Sequence, residues 1–274
     1  MQVFDDRICA LGEGPLWHPK RQELLWFDIL GKRLLSKSQV WAFDEYVSAA
    51  GWVDDDTLVM ASETALWRFD IRLGERERLV PLEADNPATR SNDGRADPSG
   101  GFWIGTMGRA AEPRAGAIYR YYRGELRQLF SDITVSNAIC FSPDGAYAYF
   151  ADTWTRRVMR QALDAEGWPK GEADEFLDLR SEGLNPDGAV VDAEGRVWNA
   201  QWGASRVACY GPDGTYLRSV EVPATQASCP AFGGPDLTTL FVTSAADGVD
   251  EGQGGMTFSI DLDVEGQAEH RVVL

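Results

Sequence analysis

Histidine is almost absent from this chain: His18 and His270 are the only two in 274 residues. His18 lies in an HPKR turn and His270 near the C-terminus, so both read as surface residues. Catalysis built on imidazole has little to draw on. No GxSxG elbow occurs, which argues against Ser-His-Asp acyl transfer. GxGxxG and GxxxxGK[ST] are missing too, so no nucleotide cradle is expected, and the GQGG run at 252–255 reads as a loop. The four cysteines (Cys9, Cys140, Cys209 and Cys229) are far apart and form no CxxC pair, so they read as buried free thiols. No apolar run approaches the roughly 18 residues that span a bilayer. Positive charge is scarce. Lys and Arg number 26 against 43 Asp and Glu, a net charge of −17 that would repel nucleic acid and anionic membranes alike. The opening MQVFDDRICALGEGP has two early acids and no apolar h-region of a signal peptide. The expectation is a soluble protein of a reducing compartment, most simply cytoplasmic.

What the chain has in quantity is aromatic bulk and turns. Ten Trp, twelve Phe and eight Tyr can fill a core, while 28 Gly and 13 Pro favour many short strands over a helical bundle. A unit also recurs: a short apolar segment, a four-residue turn, then an aromatic-rich apolar strand. Strong copies are EGPLW-HPKR-QELLWFDIL from Glu13, NDGRA-DPSG-GFWIGTM from Asn92, NAICF-SPDG-AYAYFAD from Asn137 and DGAVV-DAEG-RVWNAQW from Asp187. Weaker copies begin at Ala49 and Cys229. With further strand pairs after each unit, the period is roughly 40 to 50 residues, the signature of propeller blades. A two-sheet sandwich would leave exposed edges that circular closure removes. The expected fold is all-β, a single six-bladed β-propeller over residues 1–274.

Glu13, Asn92, Asn137 and Asp187 each stand five residues before the first residue of their turn. In blades these positions fall near the start of the innermost strand and converge on the channel. Singly, EGP, NDG and NPDG are ordinary turn sequences. Jointly, four of six units carry a carboxylate or carboxamide at one phase, with Ala49 and Cys229 at the same place in the weak copies. Such a ring of oxygen ligands suits one divalent ion (Ca, Zn, Fe, Mn or Mg) in the central channel. There it would act as a Lewis acid on an ester-like carbonyl.

The stretches LGEGPLWHP, RSNDGRADPSGGFWIGTM, SNAICFSPDG, NPDGAVVDAEGRVW and CPAFGGPDLTTLFVTSA resemble, in order and over nearly the whole chain, the senescence-marker-protein/gluconolactonase family. That regucalcin-like group includes bacterial sugar lactonases. The resemblance implies a metal held by Glu13, Asn137 and Asp187, and substrate gripped by Arg90 and Asn92. Glu112 is implied as a further substrate contact from the loop before Gly116. The implied reaction is hydrolysis of an aldono-1,4- or 1,5-lactone to the aldonic acid. Asp187 would serve as base or water-orienting group, and Asp152 would stay a strand-end residue.

The expected partner is therefore a small-molecule sugar lactone, with neither nucleic acid nor membrane, and the protein a monomer or weak homo-oligomer. Two other readings compete: a calcium-binding regulatory protein without turnover, and a promiscuous paraoxonase-like esterase. Missing GH…WD signatures speak against a protein-binding propeller. Loops 108–115, 154–157 and 247–255 are expected to shape the pocket.

Overall fold

A computed structural model describes residues 1–249 and 251–274; Asp250, in the third of those loops, lies outside the described residues. Its 24 strands form six four-stranded antiparallel sheets. Five sheets are built from consecutive strands, covering 12–42, 47–81, 89–133, 136–178 and 185–221 (blades 1 to 5). Blade 6 takes its three inner strands from Ala227–Gly233, Thr239–Ser244 and Thr257–Asp261, and its outer strand from Gln2–Asp5 at the opposite end of the chain. Val3 pairs with Phe258, so the ring is closed by main-chain hydrogen bonds between the two termini.

The recurring turns explain why each hairpin forms. In the DPSG turn, Asp97 Oδ1 accepts the Ser99 amide at 2.8 Å and the Gly101 amide at 3.0 Å. Asp192 does the same for Glu194 and Arg196 in the DAEG turn. The aromatic strand that follows packs its large side chains between blades. Trp26, Trp103 and Trp198, each on the second strand of its blade, are completely buried. Six apolar clusters result, one at each blade interface, and no single central core exists. Among the described residues one short 3-10 turn, Thr153–Thr155, is the whole helical content, and no helix is long and apolar enough to cross a membrane.

Two expectations fail here. His18 is not a surface residue: it is fully buried, with Nε2 donating to the Asp54 carbonyl at 3.0 Å and Nδ1 accepting the Arg21 amide. It pins the first turn against blade 2 and lies away from the channel. His270 is part-buried in a terminal segment, 262–274, which follows the last strand but joins no sheet. All four cysteines are buried and free, as their spacing implied.

Segment 262–274 runs as a strap beneath the ring. Main-chain bonds tie it to blade 6 (Gly266 N to Leu237 O), blade 5 (Ala193 N to Glu265 O), blade 2 (Val272 N to Trp52 O) and blade 3 (Val273 N to Gly100 O). Gln267 adds blade 4 by donating to the Phe141 carbonyl at 2.9 Å. At its middle, Glu269 forms a buried ion pair with Arg95 of the blade 3 inner strand.

Candidate functional site

Every inner strand breaks register once on its way into the channel. The break falls between Glu13 and Leu16, Val47 and Ala49, Ser91 and Gly94, Asn137 and Cys140, Pro186 and Ala189, and Ala227 and Pro230. A β-bulge re-aims side chains, and six at one level turn one residue per blade toward the axis or its walls. The four candidate positions prove less uniform than their common spacing from the turns implied. Glu13 and Asn137 are the last paired residues before the break, each followed by a left-handed residue, Gly14 (φ +51°) or Ala138 (φ +57°). Asn92 and Asp187 sit inside it. In blade 2 the break encloses Ser48 and leaves the expected Ala49 paired with Ala61, and in blade 6 it encloses Ser228 together with the expected Cys229. Both serines are buried and bond neighbouring strands, Ser48 to Ser91 Oγ at 2.8 Å and Ser228 to the Gly12 carbonyl.

Glycine is required at two of these bulges. A Cβ on Gly14 would stand 2.4 Å from the Ser48 carbonyl, and one on Gly188 would stand 2.3 Å from Cys229 Sγ. Both let an inner strand lie against its neighbour just where Glu13 and Asp187 turn inward. Gly14→Ala is expected to cost about 1–2 kcal/mol from its left-handed backbone alone, and more from the clash. A fall in Tm together with weakened activity would register it; unchanged Tm would contradict the close approach.

The side chains meet in a cavity of about 360 Å³ on one face of the ring. Glu13, Arg90, Asn92, Asn137 and Asp187 form its floor, each no more than 7% exposed. Leu11, Met107, Val135 and Trp202 add apolar wall, and Leu30, Arg109, Ala110 and Asp247 stand at the exposed rim. A chain of hydrogen bonds joins the floor. Arg90 Nη1 donates to Asn92 Oδ1 at 2.8 Å, and Asn92 Nδ2 to Asn137 Oδ1 at 3.2 Å. Asn137 Nδ2 donates to Thr153 Oγ1 at 2.8 Å, and Thr153 to the Pro186 carbonyl, next to Asp187, at 2.7 Å. Directly behind Asn92, the Asp93 carboxylate accepts the Ile139 amide at 2.7 Å and so fixes the bulge that aims Asn137. Asp152 likewise accepts the Thr134 and Val135 amides, holding the loop edge beside the cavity.

The electrostatics are those of crowded, buried acids. Burial, then the charge of Asp93, pushes Glu13 up to about 8, against the Gly14 amide and Arg90. Asp187 is raised well above the usual carboxylate range by burial and by the charges of Glu13 and Asp93. Burial lifts Asp93 up to about 6. Arg90 is pushed down to about 10 by burial, despite the pull of Glu13, Tyr46 and Asp187. Among the described residues no side chain donates a hydrogen bond to the carboxylate of Glu13 or Asp187. Two buried acids met only by main-chain amides, beside a carboxamide oxygen, match what a divalent cation needs. No group of three or more His, Cys, Asp or Glu is arranged for a metal among the described residues, so the candidate ligand set depends on the Asn137 amide.

Of the residues singled out in the sequence, Glu13, Arg90, Asn92, Asn137 and Asp187 come together. Glu112 does not. It is exposed, and its Oε2 accepts the Ala110 amide at 3.0 Å, folding the carboxylate back onto its own loop. That loop offers Arg109 to the cavity instead. The apolar wall and Thr153 carried no signal in the sequence, because nothing local marks them as neighbours of the channel.

Comparison with known proteins agrees with this architecture. The model of the SMP-30/gluconolactonase/LRE-like region matches residues 11–246. A putative sugar lactone lactonase of Rhizobium meliloti is 41% identical, over 98% of this chain and 95% of the relative. An L-arabinolactonase of Azospirillum brasilense is 38% identical, over 91% of this chain and 85% of the relative. The crystal structure of a calcium-binding protein, regucalcin, from Agrobacterium tumefaciens superposes with a TM-score of 0.97 at 42% identity, covering 100% of this chain and 97% of that one. With blades, bulges and cavity floor in place, the chain belongs to the SMP-30/gluconolactonase/LRE-like family.

Proposed function

We propose that the protein hydrolyses a sugar lactone to its aldonic acid, using one divalent ion held by Glu13, Asn137 and Asp187. The observation that carries this reading is the pair of buried carboxylates, without a side-chain donor, on a cavity floor that also holds a guanidinium and two carboxamides. Relatives named as a sugar lactone lactonase, an L-arabinolactonase and, in Haloferax volcanii, a pentonolactonase support the substrate class. When bound, the ion would supply Lewis acidity toward the lactone carbonyl and lower the pKa of a water molecule.

The chain's own residues supply position and proton transfer. Arg90, locked to Asn92, presents its remaining N–H groups to ring hydroxyls, and Asn92 fixes the lactone against the floor. Asp187 accepts the proton of the attacking water. The carbonyl carbon gains the hydroxyl, its bond to the ring oxygen breaks, and that oxygen leaves as an alcohol with a proton returned to it. The apolar wall limits bulk water around the acids. Glu112 has no part in this arrangement, since its carboxylate is committed to its own loop.

Chelator-stripped protein is expected to show no turnover of pentono- and hexono-lactones in a pH-indicator assay, and to regain it on adding single divalent ions. Tight ion binding without turnover of any lactone would overturn the reading in favour of an ion-binding regulator, the alternative suggested by the calcium-binding relative's name.

A further inference from the structure

We propose that Arg109 at the cavity mouth reads the exocyclic hydroxyls of the substrate, so that the site selects neutral aldonolactones with a polyol tail over their terminally deoxygenated and terminally anionic counterparts. The inference rests on the lactone reading above and names the part of the substrate that this reading leaves open.

Depth in the cavity assigns the ends of the substrate. Glu13, Asn92, Asn137 and Asp187 are buried at the floor, where the carbonyl must lie if it is to react. The carbons beyond the ring then point to the rim, where the Arg109 side chain is 39% exposed. Arg109 also reaches far enough inward for its charge to lower the Arg90 pKa, so the two guanidinium groups bracket one volume.

Arg109 is held ready rather than free to wander. Its Nη2 donates to Glu63 Oε2, and its guanidinium lies 5.2 Å from the centre of the Tyr46 ring. Glu63 is itself held, because its other oxygen accepts the Tyr46 amide at 3.1 Å. Among the described residues this is the only hydrogen bond recorded for the Arg109 side chain. Nε and Nη1 therefore remain as donors on a pre-aimed group.

The charge balance decides which acceptor they take. Glu63 already neutralises Arg109, Asp247 stands on the same rim, and the chain carries a net charge of −17. A terminal carboxylate on the substrate would face both acids, whereas hydroxyls accept the hydrogen bonds without that repulsion.

The test compares kcat/KM of the metal-loaded protein on three lactones: a hexono-1,4-lactone, its 6-deoxy counterpart, and the hexaro-lactone whose terminal carbon is a carboxylate. Wild type should prefer the first over the other two by about 10-fold or more, the value of one hydrogen bond to a charged group. Arg109→Ala should erase the preference over the deoxy lactone through KM, leaving turnover of the deoxy lactone within about 2-fold of wild type. Because Arg109→Ala strands the Glu63 carboxylate, the double variant Glu63→Gln/Arg109→Gln, which leaves no charge behind, should give the same loss of preference. Equal loss on all three lactones, or no loss on any, would remove Arg109 from recognition while lactone hydrolysis stood. A wild-type preference for the hexaro-lactone that vanishes in the variants would replace the hydroxyl with an anion. If wild type turned over no lactone with any ion, the lactone reading itself would fall, and this assignment with it.

Discussion

Asp187→Asn is expected to lower kcat/KM by roughly 10³- to 10⁴-fold while raising the Tm of the chelator-stripped protein. The first effect combines loss of a general base, worth about 10²- to 10⁴-fold, with loss of one of only two carboxylates in the candidate ligand set. The second follows from the acids themselves. Asp187 lies buried against the charges of Glu13 and Asp93, and no side chain donates to it. Its folded pKa is raised, so its favourable contribution is complete only below the ordinary carboxylate range and is lost as pH climbs toward the raised value. At neutral pH the unliganded protein therefore bears the cost of a buried, repelled acid, which the isosteric amide avoids. The gain in Tm should be larger at pH 8 than at pH 5. Activity and stability moving in opposite directions would mark a residue kept for chemistry at the expense of the fold. Lower stability in the variant at both pH values would instead make Asp187 a structural residue, and near-normal turnover would remove it from the reaction.

Glu269→Ala should produce a large loss of stability for a single change away from the cavity. Arg95 and Glu269 are each 9% exposed and form an ion pair between the blade 3 inner strand and the terminal strap. Burial pushes the Arg95 pKa down, yet the charges of Glu269, Cys229, Asp93 and Cys140 raise it overall. Without Glu269 the guanidinium would keep only long contacts, 3.4 Å each, to the Ala189 and Pro230 carbonyls, and its Nε already has no partner. Breaking a buried pair by removing one member costs about 3–5 kcal/mol, because the other charge is stranded. For a domain of this size that is a fall on the order of 10 °C in Tm. Replacing both partners by apolar residues, Arg95→Met with Glu269→Leu, should recover most of the loss. A change below about 1 kcal/mol in Glu269→Ala would mean that the strap holds without this anchor.

Much of this protein could be read along the chain. The DPSG and DAEG turns and the aromatic strands after them are local signals, so blade number and order followed from repetition alone. The shared spacing of Glu13, Asn92, Asn137 and Asp187 then selected four of the five polar floor residues, and the family resemblance added Arg90.

Other features were decided only when distant segments met. The spacing placed Ala49 in the ring, whereas the blade 2 bulge encloses Ser48 and leaves Ala49 paired with Ala61; a one-residue change of register cannot be seen without the partner strand. Glu112 had the right spacing for a substrate contact, yet an amide two residues back captures it, and Arg109 takes the cavity. His18 reads as an exposed turn residue until blade 2 closes over it with the Asp54 carbonyl.

By itself, then, the sequence determined the all-β repeat, the number of blades and the oxygen-rich phase of the inner strands, because turn chemistry and period-two alternation act over a few residues. The tertiary structure alone decided how the ring is closed and sealed. Pairing of Gln2–Asp5 with Thr257–Asp261, and anchoring of the strap by Arg95 and Glu269, join residues more than 170 positions apart. Contacts at that separation leave no periodic trace in the chain, and they form only where the blades have already brought the ends together.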